Sequence, residues 1–423
     1  MGEIILSDNQ ARIQFNDDKL SSSLIKNRAF VFLWLSSTTS FLALSTYLFA
    51  EQWYIITELK NEPALGIVMM VTMIPRVLLM VVGGVWSDRA KRSLIMLISS
   101  MVRCLLVVSM VFFLQVNLLE LWALIIFALL FGIVDAFFSP ANTSLLPSLV
   151  TKDELIKSNS IIQSSNQIAM FSGPMVGGLL LSIGSFSLLF SFVAFILFMT
   201  FLFSFLIKEG TSKTIATTKK NSIKIELIEG MTYVWKMPSL KNLLIILIFI
   251  NFFFFGPLLM GIPLIVESVI QGNTLDLSFL QSSYQGGMLL GAIFVGLINV
   301  RKKNFLTSLI LIFSLGLCLS QLGQIKFLWQ GIFLLVTMGI CSSIINVTVI
   351  STIQEKSHSD KIGRVMSLVN ASSNGLVPLS YGFVSLALVM NLTISDIMLL
   401  SGCIIMVISL LYLLIPKFKN HSN

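Results

Sequence analysis

Charged side chains are scarce in this sequence. Lys, Arg, Asp and Glu together make up 11% of the 423 residues, whereas hydrophobic residues make up 56%. The mean hydropathy is +0.91. This composition excludes a water-soluble domain, because the chain has too few polar groups to cover its apolar residues. We therefore expect its solvent to be lipid.

Residue types that build catalytic, metal or nucleotide sites are also rare. The two histidines, His358 and His421, lie outside the apolar stretches, which excludes a histidine proton relay within a membrane. The four cysteines contain no CxxC pair, so neither a disulfide framework nor a zinc site is indicated. A phosphate loop of the form GxxxxGKS/T is absent, which leaves direct use of ATP unsupported. We expect no metal, no cofactor and no enzymatic activity, since catalysis needs several reactive groups at one depth.

Long apolar stretches dominate what is present. A membrane-spanning helix needs roughly 20 apolar residues, and lipid cannot satisfy open backbone groups, so each stretch is predicted to be a helix. The sequence predicts an all-α membrane protein of twelve transmembrane helices in two six-helix bundles, joined by a polar linker. The predicted spans are 29–50, 64–86, 94–115, 120–140, 158–183, 185–207, 239–265, 277–299, 304–323, 327–350, 363–389 and 394–415. The predicted units are a cytoplasmic segment (1–28), an N-terminal bundle (29–208), a cytoplasmic linker (209–238), a C-terminal bundle (239–415) and a cytoplasmic tail (416–423).

The placement of Lys and Arg predicts the orientation. Of the 28 basic residues, 24 fall in alternate segments that begin with the N-terminus, and only Lys60 and Lys326 fall in the loops between them. Basic residues favour the cytoplasmic side, so both termini are predicted to be cytoplasmic. The net charge of +8 is then explained by anchors at an anionic lipid leaflet, and nucleic acid is not an expected partner.

The turn between predicted helices 2 and 3 carries the most specific motif. The segment Gly83–Ser93 reads GGVWSDRAKRS and contains the pattern G-x-x-x-D-R-x-x-R at Gly84, Asp88, Arg89 and Arg92. A basic loop that only sets topology is the alternative interpretation. An acid followed at once by bases is more specific than such a loop requires, so we interpret the motif as functional.

Predicted helix 5 carries a stripe of small residues. Ala169, Gly173 and Gly177 recur every four residues, and Pro174 and Gly178 complete the sequence SGPMVGG. Small residues at this spacing allow another helix to approach closely, and the proline removes one backbone hydrogen bond and bends the helix. Ordinary close packing explains the stripe equally well from the residues alone.

Asp135 is the only acid placed well inside a predicted span. Ionisable groups are costly there and usually mark a pathway or a proton site. Its expected partners are Arg103 and Arg76. At 1.5 Å per residue, Arg103 would lie about 15 Å and Asp135 about 8–10 Å above the inner surface, so their side chains could meet. Burial favours the neutral acid and a nearby arginine favours the carboxylate. Proton coupling, a static ion pair and contact with substrate all remain open.

A cavity is expected between the two bundles. It would be largely apolar with neutral amides, which favours a bulky amphiphile over a sugar or a phosphate. The polar candidates for its wall are Gln163, Asn166, Asn251, Gln281, Tyr284, Gln285, Asn370 and Asn374.

The motifs together resemble those of the major facilitator superfamily, and in particular its 12-helix drug:proton antiporters. The segments that carry the resemblance are 75–93, 137–150, 172–178 and the run KIGRVMS at 361–367. Within this family the chain resembles the macrolide-efflux proteins and the enterobactin exporter. The usual arginine of helix 4 is absent, and the glycine and final base expected in the loop motif are Lys91 and Ser93.

The resemblance implies a monomeric exporter in the bacterial plasma membrane, with a small-molecule substrate and protons as partners. It implies that Asp88 latches the two bundles through the start of helix 11, at Gly363 and Arg364. It also implies that the glycines and proline of helix 5 form an antiporter motif. Export of a siderophore or self-made metabolite, and uncoupled facilitation or import, are the alternatives.

Overall fold

Twelve long helices make up the described part of the protein. The computed structural model describes residues 24–209, 231–298, 305–357 and 362–414, and no strand occurs in these ranges. Most of the predicted cytoplasmic segment and linker, the predicted tail and both histidines lie outside them. The helices are α1 (Arg28–Thr57), α2 (Glu62–Arg89), α3 (Arg92–Gln115), α4 (Leu121–Leu149), α5 (Leu155–Ile183), α6 (Phe186–Leu206), α7 (Pro238–Ser268), α8 (Thr274–Ile298), α9 (Phe305–Leu322), α10 (Leu328–Lys356), α11 (Ile362–Val389) and α12 (Ile394–Leu414).

The lengths and composition of these helices suit a bilayer. Nine of the helices in the described ranges are long and apolar enough to cross a membrane by themselves. Shorter apolar stretches occupy Thr307–Leu322 of α9 and Gly375–Val389 of α11. Helix α8 is less apolar because polar residues cluster between Gln281 and Gln285. The prediction of an all-α membrane protein is confirmed, and the described residues form twelve long helices in the predicted order.

Three helices extend further than the apolar pattern predicts. Helix α1 continues to Thr57 instead of ending near residue 50, and α4 continues to Leu149 instead of residue 140. Helix α10 continues to Lys356. The predicted end of α1 falls just before Glu51, and that of α4 falls at Pro140. An acid can be buried if it finds a partner, and a proline removes one backbone hydrogen bond without ending a well-packed membrane helix.

The two sets of six helices repeat one packing arrangement. In the first set, α1 packs on α5 and α6, α2 on α4, and α3 on α4 and α6. In the second set, α7 packs on α11 and α12, α8 on α10, and α9 on α10 and α12. The main contacts between the sets are α2 with α11 and α5 with α8, which correspond to each other in the repeat. This is the arrangement expected of a transporter built from two related bundles.

The bundles meet most closely at one end, which we call the sealed end. It carries the turns α1–α2, α5–α6, α7–α8 and α11–α12. There the Ser385 hydroxyl of α11 donates a 2.6 Å hydrogen bond to the Pro63 carbonyl of α2. Gly178 of α5 lies directly against the Ser278 side chain of α8, so that a Cβ at Gly178 would collide with it.

The halves of the helices nearer the other end, the open end, are less closely packed. A Cβ added at Gly84 of α2, Gly296 of α8 or Gly375 of α11 would meet no described atom within 4 Å. These glycines contrast with Gly178 at the sealed end, where no Cβ fits. Among the described residues, the closest contacts between the bundles therefore lie towards the sealed end.

Candidate functional site

Asp135 lies between two arginines in the N-terminal bundle. Its Oδ1 accepts a 3.1 Å hydrogen bond from Nη1 of Arg103. Its Oδ2 lies 3.0 Å from Nε of Arg76, close enough for an ion pair but without the angle of a hydrogen bond. Helices α2, α3 and α4 each contribute one member of this Arg76–Asp135–Arg103 triad, which carries a net charge of +1.

Arg103 is the most deeply buried member of the triad. Its side chain is 0% exposed, and its guanidinium carbon lies 4.1 Å from the centre of the Phe138 ring and 6.0 Å from that of Phe131. Its Nε and Nη2 find no hydrogen-bond acceptor. Among the described residues, Asp135 therefore supplies both the counter-charge and the single hydrogen-bond acceptor of this guanidinium.

The depth of Asp135 differs from the prediction. It lies fourteen residues from each end of α4, or about 21 Å, and not 8–10 Å from the inner end. The difference arises because α4 continues through Pro140 and Pro147. Asp135 thus lies at the middle of α4, where it is buried.

A cavity of about 340 Å³ separates the bundles at this height. Volumes of this order bind drug-sized molecules. At its sealed side, the Gln281 side chain donates a 2.8 Å hydrogen bond to Oε1 of Gln52, which links α8 to α1. The wall is mostly apolar, and its ionisable members are Arg76, Asp135, Tyr284 and Tyr381. The full wall is Leu44, Ser45, Leu48, Gln52, Met69, Thr72, Met73, Arg76, Phe131, Gly132, Asp135, Met170, Pro174, Phe255, Leu259, Ile262, Gln281, Tyr284, Gln285, Met288 and Tyr381.

A second cavity, of about 90 Å³, lies within the N-terminal bundle beside the first. Arg76 and Asp135 line both cavities, so the ion pair forms part of the boundary between them. The second cavity is richer in amides. Asn142 and Asn166 both donate hydrogen bonds to Oγ of Ser37, at 2.9 and 3.0 Å, and Oδ1 of Asn142 is buried without a partner.

The predicted polar wall residues divide between three locations. Gln281, Tyr284 and Gln285 line the central cavity. Gln163 and Asn166 line the second cavity instead.

The remaining predicted amides lie elsewhere. Asn251 lines neither cavity, because its amide donates 2.7 Å to the Leu247 carbonyl and lies 3.5 Å from the Ser373 hydroxyl. The side chains of Asn370 and Asn374 are outside the described part of α11.

The small residues of α5 lie in close contact with two other helices. A Cβ at Gly173 would collide with the Ser45 side chain of α1, and one at Gly177 would lie 2.6 Å from the Phe49 ring. Gly178 faces α8 of the other bundle, and Pro174 lines the central cavity. The stripe therefore touches α1, the cavity and the opposite bundle within one segment.

Only part of the predicted latch can be placed. Gly84 lies near the end of α2, and Arg92 opens α3. Gly363 and Arg364 lie in the first turn of α11, but the Arg364 side chain is not described, nor are those of Asp88 and Arg89. Next to Arg92, the Ser93 amide and hydroxyl donate hydrogen bonds of 3.1 and 2.9 Å to the Glu209 carboxylate.

The prediction that Asp135 is the only acid deep in a span was wrong. Glu51 is 0% exposed in α1, six residues before its end at Thr57. Its Oε1 accepts a 2.7 Å hydrogen bond from the Tyr47 hydroxyl. The i, i+4 spacing of Tyr47 and Glu51, followed by the apolar run WYII, was the signal in the sequence that α1 continues past the acid.

Metal-binding and disulfide chemistry find no support in the described ranges. No group of three or more His, Cys, Asp or Glu side chains is placed to hold a metal ion there. The four cysteines are free, and three of them are at least partly buried.

Comparison with known proteins identifies the family that the chain matches. The family model described as Major Facilitator Superfamily matches residues 33–382. Macrolide efflux protein A of Streptococcus pyogenes is 24% identical over 404 residues, which cover 92% of this chain and 96% of the relative. Macrolide efflux protein A of Enterococcus faecalis is 27% identical over 271 residues, or 62% of this chain and 81% of the relative.

Solved structures agree on the fold. The crystal structure of the nucleoside transporter NupG superimposes with a TM-score of 0.75 at 12% identity, covering 93% of this chain and 99% of that one. A POT family transporter in complex with a thioalcohol-conjugated peptide gives a TM-score of 0.74 at 13% identity, covering 93% and 97%. Identities this low establish the fold alone.

Proposed function

The chain belongs to the major facilitator superfamily and is a membrane transporter, and from this premise we propose that it exports a bulky amphiphilic small molecule by proton antiport. The observation that carries the proposal is the Arg76–Asp135–Arg103 triad, of which Arg76 and Asp135 line the cavity between the bundles. A proton-carrying residue must be accessible from the cavity, and its protonation must change the relative free energies of the two conformations. Asp135 suits both requirements, because it lines the cavity and pairs with the buried Arg103.

The ion pairs of Asp135 explain how proton binding at this residue would affect helix packing throughout the bundle. Oδ2 makes no hydrogen bond and so is available to accept a proton. Protonation removes the negative charge that balances Arg103, which is fully buried and has no other acceptor among the described residues. An unbalanced buried charge costs several kcal/mol, enough to favour a different packing of α3 and α4. Proton binding at Asp135 would thereby drive the bundles towards their other state.

The proposed orientation places the open end in the cytoplasm. The excess of Lys and Arg in alternate segments assigns that end, with both termini, to the inner face of a bacterial plasma membrane. The structure then corresponds to a cytoplasm-facing state, which is the state that loads cargo for export. Residues 29–208 and 239–415 are the proposed units that move against each other, and one chain holds a whole cavity, which favours a monomer.

The preference for export and for an amphiphile rests on two further observations. The residues Gly173, Pro174, Gly177 and Gly178 pack α5 against α1 and α8, so the antiporter motif lies where the bundles must move. Two relatives bear the name macrolide efflux protein A. The cavity wall is largely apolar with a few amides, as a macrolide or similar drug would require.

A second candidate cargo is favoured by the charge of the triad. Two arginines against one aspartate give the triad a net charge of +1, with Arg76 and Asp135 on the cavity wall and Arg103 buried behind them. That charge disfavours a cation and suits a neutral or acidic compound. Export of a siderophore or another acidic metabolite is therefore the alternative to export of a cationic drug.

The experiment uses purified protein in liposomes with a pH-sensitive dye inside. A panel of macrolides, neutral amphiphiles and acidic siderophores is added under an imposed proton gradient. We expect at least one compound to dissipate the gradient with the native protein but not with Asp135→Asn. Asp153→Asn is the matched control, because Asp153 is exposed before α5 and faces neither cavity. Labelled cargo that equilibrates equally well with and without the gradient would instead indicate a facilitator and reduce the triad to a structural ion pair.

A further inference from the structure

A second carboxyl group is buried in the N-terminal bundle, apart from both cavities. Glu51 is 0% exposed and lines neither cavity. Its Oε1 accepts the 2.7 Å hydrogen bond from Tyr47, one turn earlier on α1. Its Oε2 is buried and has no hydrogen-bond partner. This acid therefore has one neutral partner and one unsatisfied oxygen.

No cation balances Glu51 in the described part of the bundle. Helix α6, which packs along α1, contains no charged residue, and α5 contains only Lys157, near its opposite end. Away from helix ends, α3 and α4 contribute only Arg103 and Asp135, which are paired with each other. Helix α2 contributes Arg76, which is engaged by the same aspartate.

Aromatic contacts connect this acid to the triad. The Tyr47 ring is stacked on Phe131 with ring centres 4.5 Å apart and planes within 6°. The Phe131 ring in turn lies 6.0 Å from the guanidinium carbon of Arg103. Phe131 also stands one helical turn before Asp135 on α4. The two buried acids of the bundle are thus joined by a continuous set of contacts.

An ionised carboxylate without a cation or a second donor is poorly tolerated in such surroundings, whereas the neutral acid is tolerated. We propose that Glu51 is a second proton-binding site of this transporter, holding its proton on Oε2 in the state seen here. The proton comes from water and returns to water, and no other reactant is required. The proposal rests on the proposed proton antiport, to which it adds a proton-binding site nearer the sealed end than Asp135.

The contact that would control access to this site lies on the next residue. Gln52 accepts the hydrogen bond from Gln281 that links α1 to the opposite bundle. When the sealed end opens, this bond must break, and the surrounding part of α1 loses its cover. Glu51 would then exchange its proton with water on that side, and closure would bury it again in the neutral form.

The first test is infrared spectroscopy on protein in lipid nanodiscs, with glutamate labelled by ¹³C so that aspartates do not contribute. We expect a carbonyl band of a protonated glutamic acid that is absent in Glu51→Gln and present in Glu58→Gln. Glu58 is the matched control because it is exposed at the end of the same helix. We also expect the band to shift after transfer to D₂O, since the site exchanges as the protein changes state.

Three results would overturn the proposal. Absence of a band assignable to Glu51 would mean that the acid is ionised. A band that stays unshifted after prolonged exposure to D₂O would mean a sealed, purely structural acid. If Glu51→Gln does not fold, Tyr47→Phe replaces it: loss of the hydrogen bond to Oε1 should raise the carbonyl frequency, and an unchanged band would contradict the assignment.

A transport measurement separates this proposal from the antiport mechanism on which it rests. Glu51→Gln should lower gradient-driven transport at least tenfold while cargo exchange without a gradient stays within twofold of the native rate. Unchanged gradient-driven transport in Glu51→Gln would refute the second site alone. Absence of gradient-driven transport in the native protein would refute the antiport mechanism, and the D₂O exchange of Glu51 would still report on the site.

Discussion

Replacement of Asp135 by asparagine should destabilise the protein as well as uncouple it. Asparagine retains an oxygen that can accept the hydrogen bond from Nη1 of Arg103, so the change removes charge and little else. The loss falls on Arg103, which is 0% exposed and has no other acceptor among the described residues. The cost of losing the counter-charge is smaller at Arg76, since its side chain is 31% exposed towards the cavities.

The size of the effect follows from this difference in burial. Breaking a buried ion pair by removal of one partner costs about 3–5 kcal/mol, whereas replacement of both partners by neutral groups is nearly neutral. Because the hydrogen bond survives in Asp135→Asn, we expect a loss at the lower end, about 3 kcal/mol of unfolding free energy. Arg103→Met combined with Asp135→Asn should recover most of it, since methionine fits between Phe131 and Phe138 without charge.

The assay is reversible unfolding in bicelles by added SDS, followed by tryptophan fluorescence. Native protein, Asp135→Asn and the double variant form the series, with Asp153→Asn as the exposed control. Gradient-driven transport is measured on the same preparations. The double variant should be folded and close to native stability, but without proton-coupled transport.

Two outcomes would refute this reasoning. If Asp135→Asn lies within about 0.5 kcal/mol of the native protein, Arg103 does not depend on Asp135 for its counter-charge. If the double variant is stable and still transports against a gradient, the triad is a structural ion pair and the coupling proton binds elsewhere.

Three further substitutions test the packing between the helices and the predicted latch. Gly173→Leu should destabilise the protein by about 1–3 kcal/mol and block transport, because no Cβ fits against α1 at this position. Gly296→Leu is the control and should be tolerated. Equal effects of the two substitutions on the melting temperature would contradict the packing argument. Ser385→Ala removes the hydrogen bond to Pro63, worth about 0.5–1.5 kcal/mol, and should raise labelling of a cysteine introduced into the cavity wall from the sealed side about two- to tenfold. Unchanged labelling would show that this bond does not hold the end closed. Asp88→Asn should slow turnover with little change in cargo affinity, and a pure binding defect would count against a latch.

The fold could be predicted from the sequence because the length of an apolar stretch and the glycines at its ends are local properties of the chain. Twelve spans, their order and the division into two sets of six follow from counting apolar residues. Helix ends were harder to predict. Pro140 and Glu51 look like terminators in a hydropathy pattern, yet both lie inside helices. Neighbouring helices pack around α4 at Pro140, and Tyr47 of the same helix donates a hydrogen bond to Glu51.

The candidate site was predictable only in part. The pairing of Asp135 with Arg76 and Arg103 follows from the cost of burying charge, since each group needs a partner of opposite sign at similar depth. The partner of Glu51 is neutral and lies on its own helix, so no excess charge pointed to it. Which amides face a cavity depends on helix rotation, and a one-residue change turns a side chain by about 100°; Asn251 was misplaced for that reason.

The charges of the central cavity are confined to one half of the molecule. Its described C-terminal wall consists of uncharged residues, and the triad belongs entirely to α2, α3 and α4. The C-terminal wall residues are Phe255, Leu259, Ile262, Gln281, Tyr284, Gln285, Met288 and Tyr381. Uncharged substitutions among them change the shape of the cavity but leave its fixed charge intact. Substitutions in the C-terminal half can thus change which compounds fit the cavity, while the charges on which the proposed coupling depends stay in the N-terminal half.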